Sequence, residues 1–191
     1  MEILRTFKIK EIARVIKNGK VIVCPTDTVY GLIADATNKK AVGKVFKIKK
    51  RPANKPIPIF VKDIKMARRL AKINKNQEKF LNLVWPGKVT VILRPKRKFP
   101  KGIGRPEKEI GLRIPNYKII NQLLSIIKRP LTGTSANISG KPASTKIKGV
   151  LKQFKNQKHQ PDLVTSAGNL QKSKPSLIID LTKEPPKVLR T

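Results

Sequence analysis

The stretch Lys20-Val21-Ile22-Val23-Cys24-Pro25-Thr26-Asp27-Thr28-Val29-Tyr30-Gly31 joins a short apolar run, preceded by Gly19, to a polar loop that leaves through a glycine. The run is β-branched and too brief for a helix, so it predicts a buried strand from Lys20 to Cys24. A similar arrangement comes later, where Leu131 begins a strand that opens into Thr134-Ser135-Ala136-Asn137-Ile138-Ser139-Gly140. A third polar stretch, Lys47-Ile48-Lys49-Lys50-Arg51-Pro52-Ala53-Asn54-Lys55-Pro56, leads into the strand Ile57–Val61. Singly, such loops read as ordinary turns or caps. Three of them, read as polar loops after apolar strands, point to a site, because sites in α/β sheets gather at strand ends.

Helical periodicity fills the intervals. Residues Lys8 to Asn18 place Ile9, Ile12, Ala13 and Ile16 on one face, and Asn38 can cap a helix striped by Val42, Val45 and Phe46. Pro52 ends that helix in this reading. Asp63 caps a third helix, a fourth segment ends at Trp85-Pro86-Gly87, and Tyr117 to Ile127 and Ser144 to Phe154 supply two more. Further strands are expected at Lys88–Leu93, Ile110–Ile114, near Leu163, at Leu177–Leu181 and at Val188–Arg190. The proline- and glycine-broken segment Arg94–Glu109 reads as a mobile surface loop. Strands and helices mix without strict alternation, and no repeat or linker divides the chain. The expected fold is a single α/β domain over residues 1–191, with a twisted mixed parallel and antiparallel sheet flanked by helices.

The charge is extreme, with 44 basic residues against 11 acidic and a net of +33. A field of that sign concentrates nucleotides and nucleic acids. The cations are mostly lysine, whereas phosphate forks favour arginine, so the total speaks for RNA affinity more than for specificity. Aromatics at 5% argue against a base-stacking platform. No apolar run approaches a membrane span, and the N-terminus lacks the apolar core of a signal peptide. With one cysteine, the expectation is a cytoplasmic protein.

The one histidine, His159, sits in the polar stretch Gln157–Gln160 and reads as a surface residue, which argues against a Ser-His-Asp triad and a histidine metal site. Cys24 ends an apolar strand, as a small core residue does. Neither the P-loop nor the dinucleotide fingerprint occurs. Chemistry must then rest on positioning and positive charge, in the manner of phosphoryl and nucleotidyl transfer. Lys49, Arg51 and Lys55 are the first candidates, with Lys49 and Arg51 pointing the same way if the chain is extended there. The turns at Thr134–Asn137 and Pro25–Thr28 are the others.

These motifs resemble those of the YrdC-like threonylcarbamoyl-AMP synthase family. Pro25-Thr26-Asp27-Thr28-Val29-Tyr30-Gly31-Leu32 is similar to its P-T-E-T-V-Y-G-L signature, and Lys49-Lys50-Arg51-Pro52 to its K-x-R-P segment. Trp85-Pro86-Gly87-Lys88-Val89-Thr90, Gly111-Leu112-Arg113-Ile114-Pro115 and Ser135-Ala136-Asn137-Ile138-Ser139-Gly140 follow in family order. Asp27 stands in place of the usual glutamate, and Phe60 in place of a frequent histidine. The resemblance is to the short, single-domain members, and it implies a mixed α/β sheet around a basic cleft. It implies an enzyme that joins L-threonine, bicarbonate and ATP into threonylcarbamoyl-AMP with release of pyrophosphate, magnesium accompanying the ATP. Carried over by position, Lys49 and Arg51 are catalytic and hold ATP together with Lys55, Thr90, Ser135, Asn137 and Arg190. Thr26, Arg113 and Ser176 hold threonine. No protein metal site is implied. A partner complex would then transfer the threonylcarbamoyl group to tRNA. The alternative is a non-catalytic YrdC-like paralogue that binds tRNA or double-stranded RNA.

Overall fold

The computed structural model describes residues 2–4, 8–105 and 108–190. The first half comprises β1 (Glu2–Leu4), α1 (Ile9–Lys17), β2 (Ile22–Cys24), β3 (Gly31–Ile33), α2 (Lys39–Lys49), β4 (Ile59–Phe60), α3 (Ile64–Leu70), β5 (Ala71–Lys72) and α4 (Lys75–Val84). The second half comprises β6 (Val89–Pro95), β7 (Ile110–Arg113), α5 (Lys118–Ile127), β8 (Leu131–Thr132), β9 (Thr134–Ser135), α6 (Ile147–Phe154), β10 (Leu163–Thr165), β11 (Leu177–Asp180) and β12 (Lys187–Arg190).

The strands form two mixed sheets. One runs β1-β10-β2-β3-β9, and the other runs β12-β11-β6-β7-β4-β8 with β5 paired on β6. Alternation along β2 and β3 explains why their sequences are apolar throughout. Val21, Val23 and Leu32 enter the main core, while Ile22, Cys24 and Ile33 pack on the opposite side with α1 and α5. No residue of β2 has a solvent face to spend on a polar side chain.

The two sheets are joined by backbone pairing at β3 and β8. Thr132 N–H donates to Ala34 O at 2.9 Å, and Ala36 N–H donates to Pro130 O at 3.0 Å. The fully buried Thr132 hydroxyl completes the join, donating to Leu32 O at 2.8 Å and accepting from Ala34 N–H at 2.9 Å. Asp35, also fully buried, is held at this seam by Arg129 at 2.5 Å and by the Thr37 amide and hydroxyl.

Three sequence expectations need correction. α2 ends at Lys49 rather than at Pro52, because Lys50 takes a left-handed cap conformation (φ 48°) and Arg51 N–H returns to Phe46 O. The segment from Lys47 to Pro56 therefore begins as the last turn of that helix and does not follow a strand. Arg94–Glu109 is not a free loop. Arg94 and Pro95 extend β6 and pair with β5, and Ile103 is buried and bridges to Ile57. Residues 106 and 107 of that segment lie outside the described residues. Its turn at Gly104 (φ 62°) needs glycine, since a Cβ there would stand 2.4 Å from Glu109 O.

Among the described residues, no helix is long and apolar enough to cross a membrane. Thr132→Val should keep the shape of the seam but remove the acceptor of Ala34 N–H and the hydroxyl donor to Leu32 O. We expect a loss of about 1–3 kcal/mol in urea denaturation, with the m-value unchanged.

Candidate functional site

Both sheets contribute walls to a cavity of about 470 Å³. The loop between β2 and β3 supplies Thr26 and Thr28, and β9 supplies Thr134 and Ser135. Arg51 stands at one end, Arg113 with Phe60 at the floor, and Thr90, Ser176 and Arg190 along the β6, β11 and β12 side.

Register explains that last group. Ile178 pairs with Thr90 on one side and Arg190 on the other, so strands far apart in sequence present their side chains together. Thr90 Oγ1 and Ser176 Oγ lie 3.0 Å apart, and Arg190 Nη2 donates to Ser176 O at 2.7 Å and to Ser176 Oγ at 3.1 Å.

Arg51 is anchored by the chain that follows it. Its Nε donates to Lys55 O at 2.7 Å and its Nη2 to Pro56 O at 2.9 Å, which leaves the rest of the fork toward the cavity. Partial burial lowers its pKa from the ordinary guanidinium value. The Lys55 side chain is exposed and off the cavity wall, so this residue enters the site only through its carbonyl.

Lys49 does not share Arg51's exposure. The left-handed turn at Lys50 breaks the extended geometry that would have aimed both side chains alike. Lys49 is 2% exposed, and its Nζ donates to Ser135 O at 2.6 Å, Asn137 O at 3.0 Å and Asn137 Oδ1 at 2.8 Å. Three acceptors match the three donors of an ammonium. Asn137 is likewise turned inward: Oδ1 also accepts from Ser135 Oγ, and Nδ2 donates to Ile138 O and Lys141 O. Lys49 and Asn137 therefore lie behind the cavity wall and hold Ser135 in it. Burial, and then the charge of Arg51, bring the Lys49 pKa down to about 7.

At the floor, Arg113 is 4% exposed. Its Nε donates to Gly87 O at 2.8 Å, its Nη2 lies 2.7 Å from Asp27 Oδ2, and its guanidinium carbon sits 5.8 Å from the Phe60 ring centre. Burial lowers its pKa and the Asp27 carboxylate opposes that shift. Phe60 fits because the facing residue is Gly133, where a Cβ would meet the ring at 3.0 Å. Thr26 caps its own loop, its hydroxyl donating to Val29 O at 2.6 Å and accepting from Thr28 N–H at 3.2 Å.

Sequence reading offered Asp27 within the Pro25–Thr28 turn but gave it no role of its own, and its contact with Arg113 is what marks it. Cys24 is fully buried, and its thiol is pushed up to about 12 by burial. His159 is exposed.

Fold and site define an α/β domain whose two sheets close on a cavity carrying three arginine forks. The Sua5/YciO/YrdC family model, described as telomere recombination, matches residues 14–191, and the chain belongs to that family. A Methanocaldococcus jannaschii relative is 42% identical over 166 residues, covering 87% of this chain and 76% of its own. The threonylcarbamoyl-AMP synthase of Pyrococcus abyssi is 34% identical over 190 residues, 99% of this chain and 55% of that protein. The crystal structure of P. abyssi Sua5 complexed with L-threonine superposes with a TM-score of 0.89 at 33% identity, over 99% of this chain and 56% of that one. The chain thus spans about half the length of the P. abyssi protein.

The lowered Lys49 pKa carries a sign. Between about 7 and the ordinary 10.5, the unfolded chain holds a proton at this residue that the folded chain has released. Stability should therefore rise with pH across that window, and the rise should be smaller in Lys49→Met. Urea denaturation of both proteins from pH 7 to 10 checks it.

Proposed function

We propose that this chain forms L-threonylcarbamoyladenylate and pyrophosphate from L-threonine, bicarbonate and ATP, as a nucleotidyltransferase. One observation carries the reading. Arg51 and Arg113 stand on the walls of a single cavity, with the Thr90–Ser176–Arg190 network also on its lining. The threonylcarbamoyl-AMP synthase name borne by relatives and the family's sequence motifs both support it.

In this reading Arg51 and Ser135 take the ATP phosphates, with Lys49 and Asn137 fixing Ser135 from behind. Thr90 and Arg190 belong to the nucleotide side. Arg113, Thr26 and Ser176 take threonine, the arginine forking its carboxylate. The Thr90–Ser176 contact is where the two halves meet. Threonine's amine takes up the carbon of bicarbonate with loss of water, and an oxygen of the resulting carbamate anion attacks the α-phosphorus. The new O–P bond forms as the bond to the β-phosphate breaks, and pyrophosphate leaves with that electron pair. Two anions must be brought together, so preorganised cations lower the barrier without a protein acid.

Magnesium would arrive with ATP. Among the described residues there is no group of three metal-binding side chains. Among the described residues, the carboxylate on the cavity lining is that of Glu109, which pairs with Arg105 at 3.1 Å. These residues do not form a protein cage for the ion. Phosphates and water are the ligands left to it.

The reading also sets a tRNA threonylcarbamoyl-transferase complex downstream, in the cytoplasm. The net charge of +33 supports affinity for tRNA or double-stranded RNA. Purified protein given ATP, L-threonine, bicarbonate and magnesium should release pyrophosphate only when all are present. Arg51→Ala should slow release on the order of 100-fold. Salt-sensitive RNA binding by a folded chain that releases no pyrophosphate and binds no threonine would overturn the reading.

A further inference from the structure

Asp27 has no place in the scheme above, yet it is the carboxylate that meets the floor arginine. Its side chain is 7% exposed and its Oδ2 lies 2.7 Å from Arg113 Nη2, itself on a side chain 5% exposed. Oδ2 also accepts from Asn116 N–H at 3.0 Å. Oδ1 is buried with no hydrogen-bond partner. A buried pair normally satisfies its remaining donors and acceptors, because each one left open costs stability. Here the acceptor Oδ1 is left open beside the ion pair, next to a cavity lined by Arg113 and by both chain neighbours of Asp27, Thr26 and Thr28.

We infer that Asp27 is a specificity-determining residue that makes this end of the cavity a reader of zwitterions. The inference rests on the proposed threonine role of Arg113. A lone buried arginine would attract any carboxylate. Paired with Asp27 it presents no net charge but a strong local dipole, and the ligand that complements a dipole carries both signs on adjacent atoms. An α-amino acid does so: its carboxylate answers the guanidinium, and its nitrogen stands on the Asp27 side. The ammonium of the free amino acid and the N–H of its carbamate are both donors, so the preference serves either form. A hydroxy or deamino acid gains the first contact and forfeits the second. Selection for a ligand with nitrogen at that position excludes compounds that would occupy the site without offering a nucleophile to bicarbonate.

The test compares L-threonine with 3-hydroxybutanoate, its deamino analogue, by calorimetry on the wild-type chain, Asp27→Asn and Asp27→Glu. The wild type should prefer threonine. Asp27→Asn should weaken threonine by at least about tenfold while binding of 3-hydroxybutanoate holds or tightens, since the arginine is no longer neutralised. Asp27→Glu keeps the charge and should keep the preference. Equal losses for both ligands in Asp27→Asn mark a structural role and overturn the inference, as does an unchanged preference. If Asp27→Asn does not fold, Asp27→Glu decides: a preference abolished with the charge intact overturns the inference. A folded wild-type chain that binds 3-hydroxybutanoate but not threonine overturns the inference alone. One that binds neither overturns the threonine reading of Arg113, and the inference with it.

Discussion

A lysine ammonium buried among oxygens is the constraint on which the site depends. Lys49 closes α2, and its charge would be costly inside the protein without Ser135 O, Asn137 O and Asn137 Oδ1 around it. Those acceptors become available because the chain after β9 folds back, and it stays folded back because Ser139 N–H donates to Lys49 O at 2.7 Å. One residue thus ties a helix end to a loop on both its side chain and its backbone. Ser135 is exposed to the cavity as a consequence. The same cage limits what Lys49 can do directly. Its donors are already engaged, so its influence on a ligand in the cavity is through the position of Ser135, and through charge only below about pH 7, where the ammonium is kept.

The second constraint is sheet register. Two sheets that share no continuous ladder are held at one seam, and a single threonine hydroxyl satisfies backbone groups two residues apart on β3. A slip of one residue there would turn Val23 and Leu32 out of one core and Ile22 and Ile33 out of the other. Because both faces of β2 and β3 are buried, no such slip is cheap. That rigidity keeps Thr26 and Thr28 opposite Thr90 and Arg113 across the cavity.

Much of this was legible in the chain. Short apolar runs and period-3.6 patterns located the longer strands and helices to within a few residues, and turn chemistry placed Asn38 and Asp63 as caps, where their side chains accept from Ala41 N–H and Met66 N–H. The missed elements are short. β1 has three residues, β3 lies in a run that reads as the exit of a loop, and β5 and β9 have two residues each, too few to show a pattern. The conformation at Lys50 was illegible because a non-glycine residue enters the left-handed region when packing demands it, and no local signal records the demand. The motif spacings brought Arg51, Thr90, Arg113, Ser135, Ser176 and Arg190 to one cavity with Thr26. They did not separate residues on the wall from those behind it. That distinction depends on contacts between segments distant in sequence, as with Lys49 and Asn137, or Arg113 and Asp27.

The distribution of charge then acquires a meaning that its total lacks. Of 44 basic residues, the three on the cavity lining are Arg51, Arg113 and Arg190, and no lysine is among the lining residues described. Lysine is a hydrated point charge on a flexible stem, well suited to a surface field and poorly suited to holding a planar anion in one orientation. Arginine gives up some of its donors to carbonyls and keeps a rigid fork for the rest. Arg51 does so on Lys55 O and Pro56 O, and Arg190 on Ser176 O. Each fork is therefore fixed by backbone before any ligand arrives, and binding need not pay to order it. The single caged lysine fits the same logic, since the cage removes the flexibility that would otherwise disqualify it. A chain with far fewer surface lysines could keep this cavity intact. The excess charge and the recognition chemistry are separable features, which can vary independently.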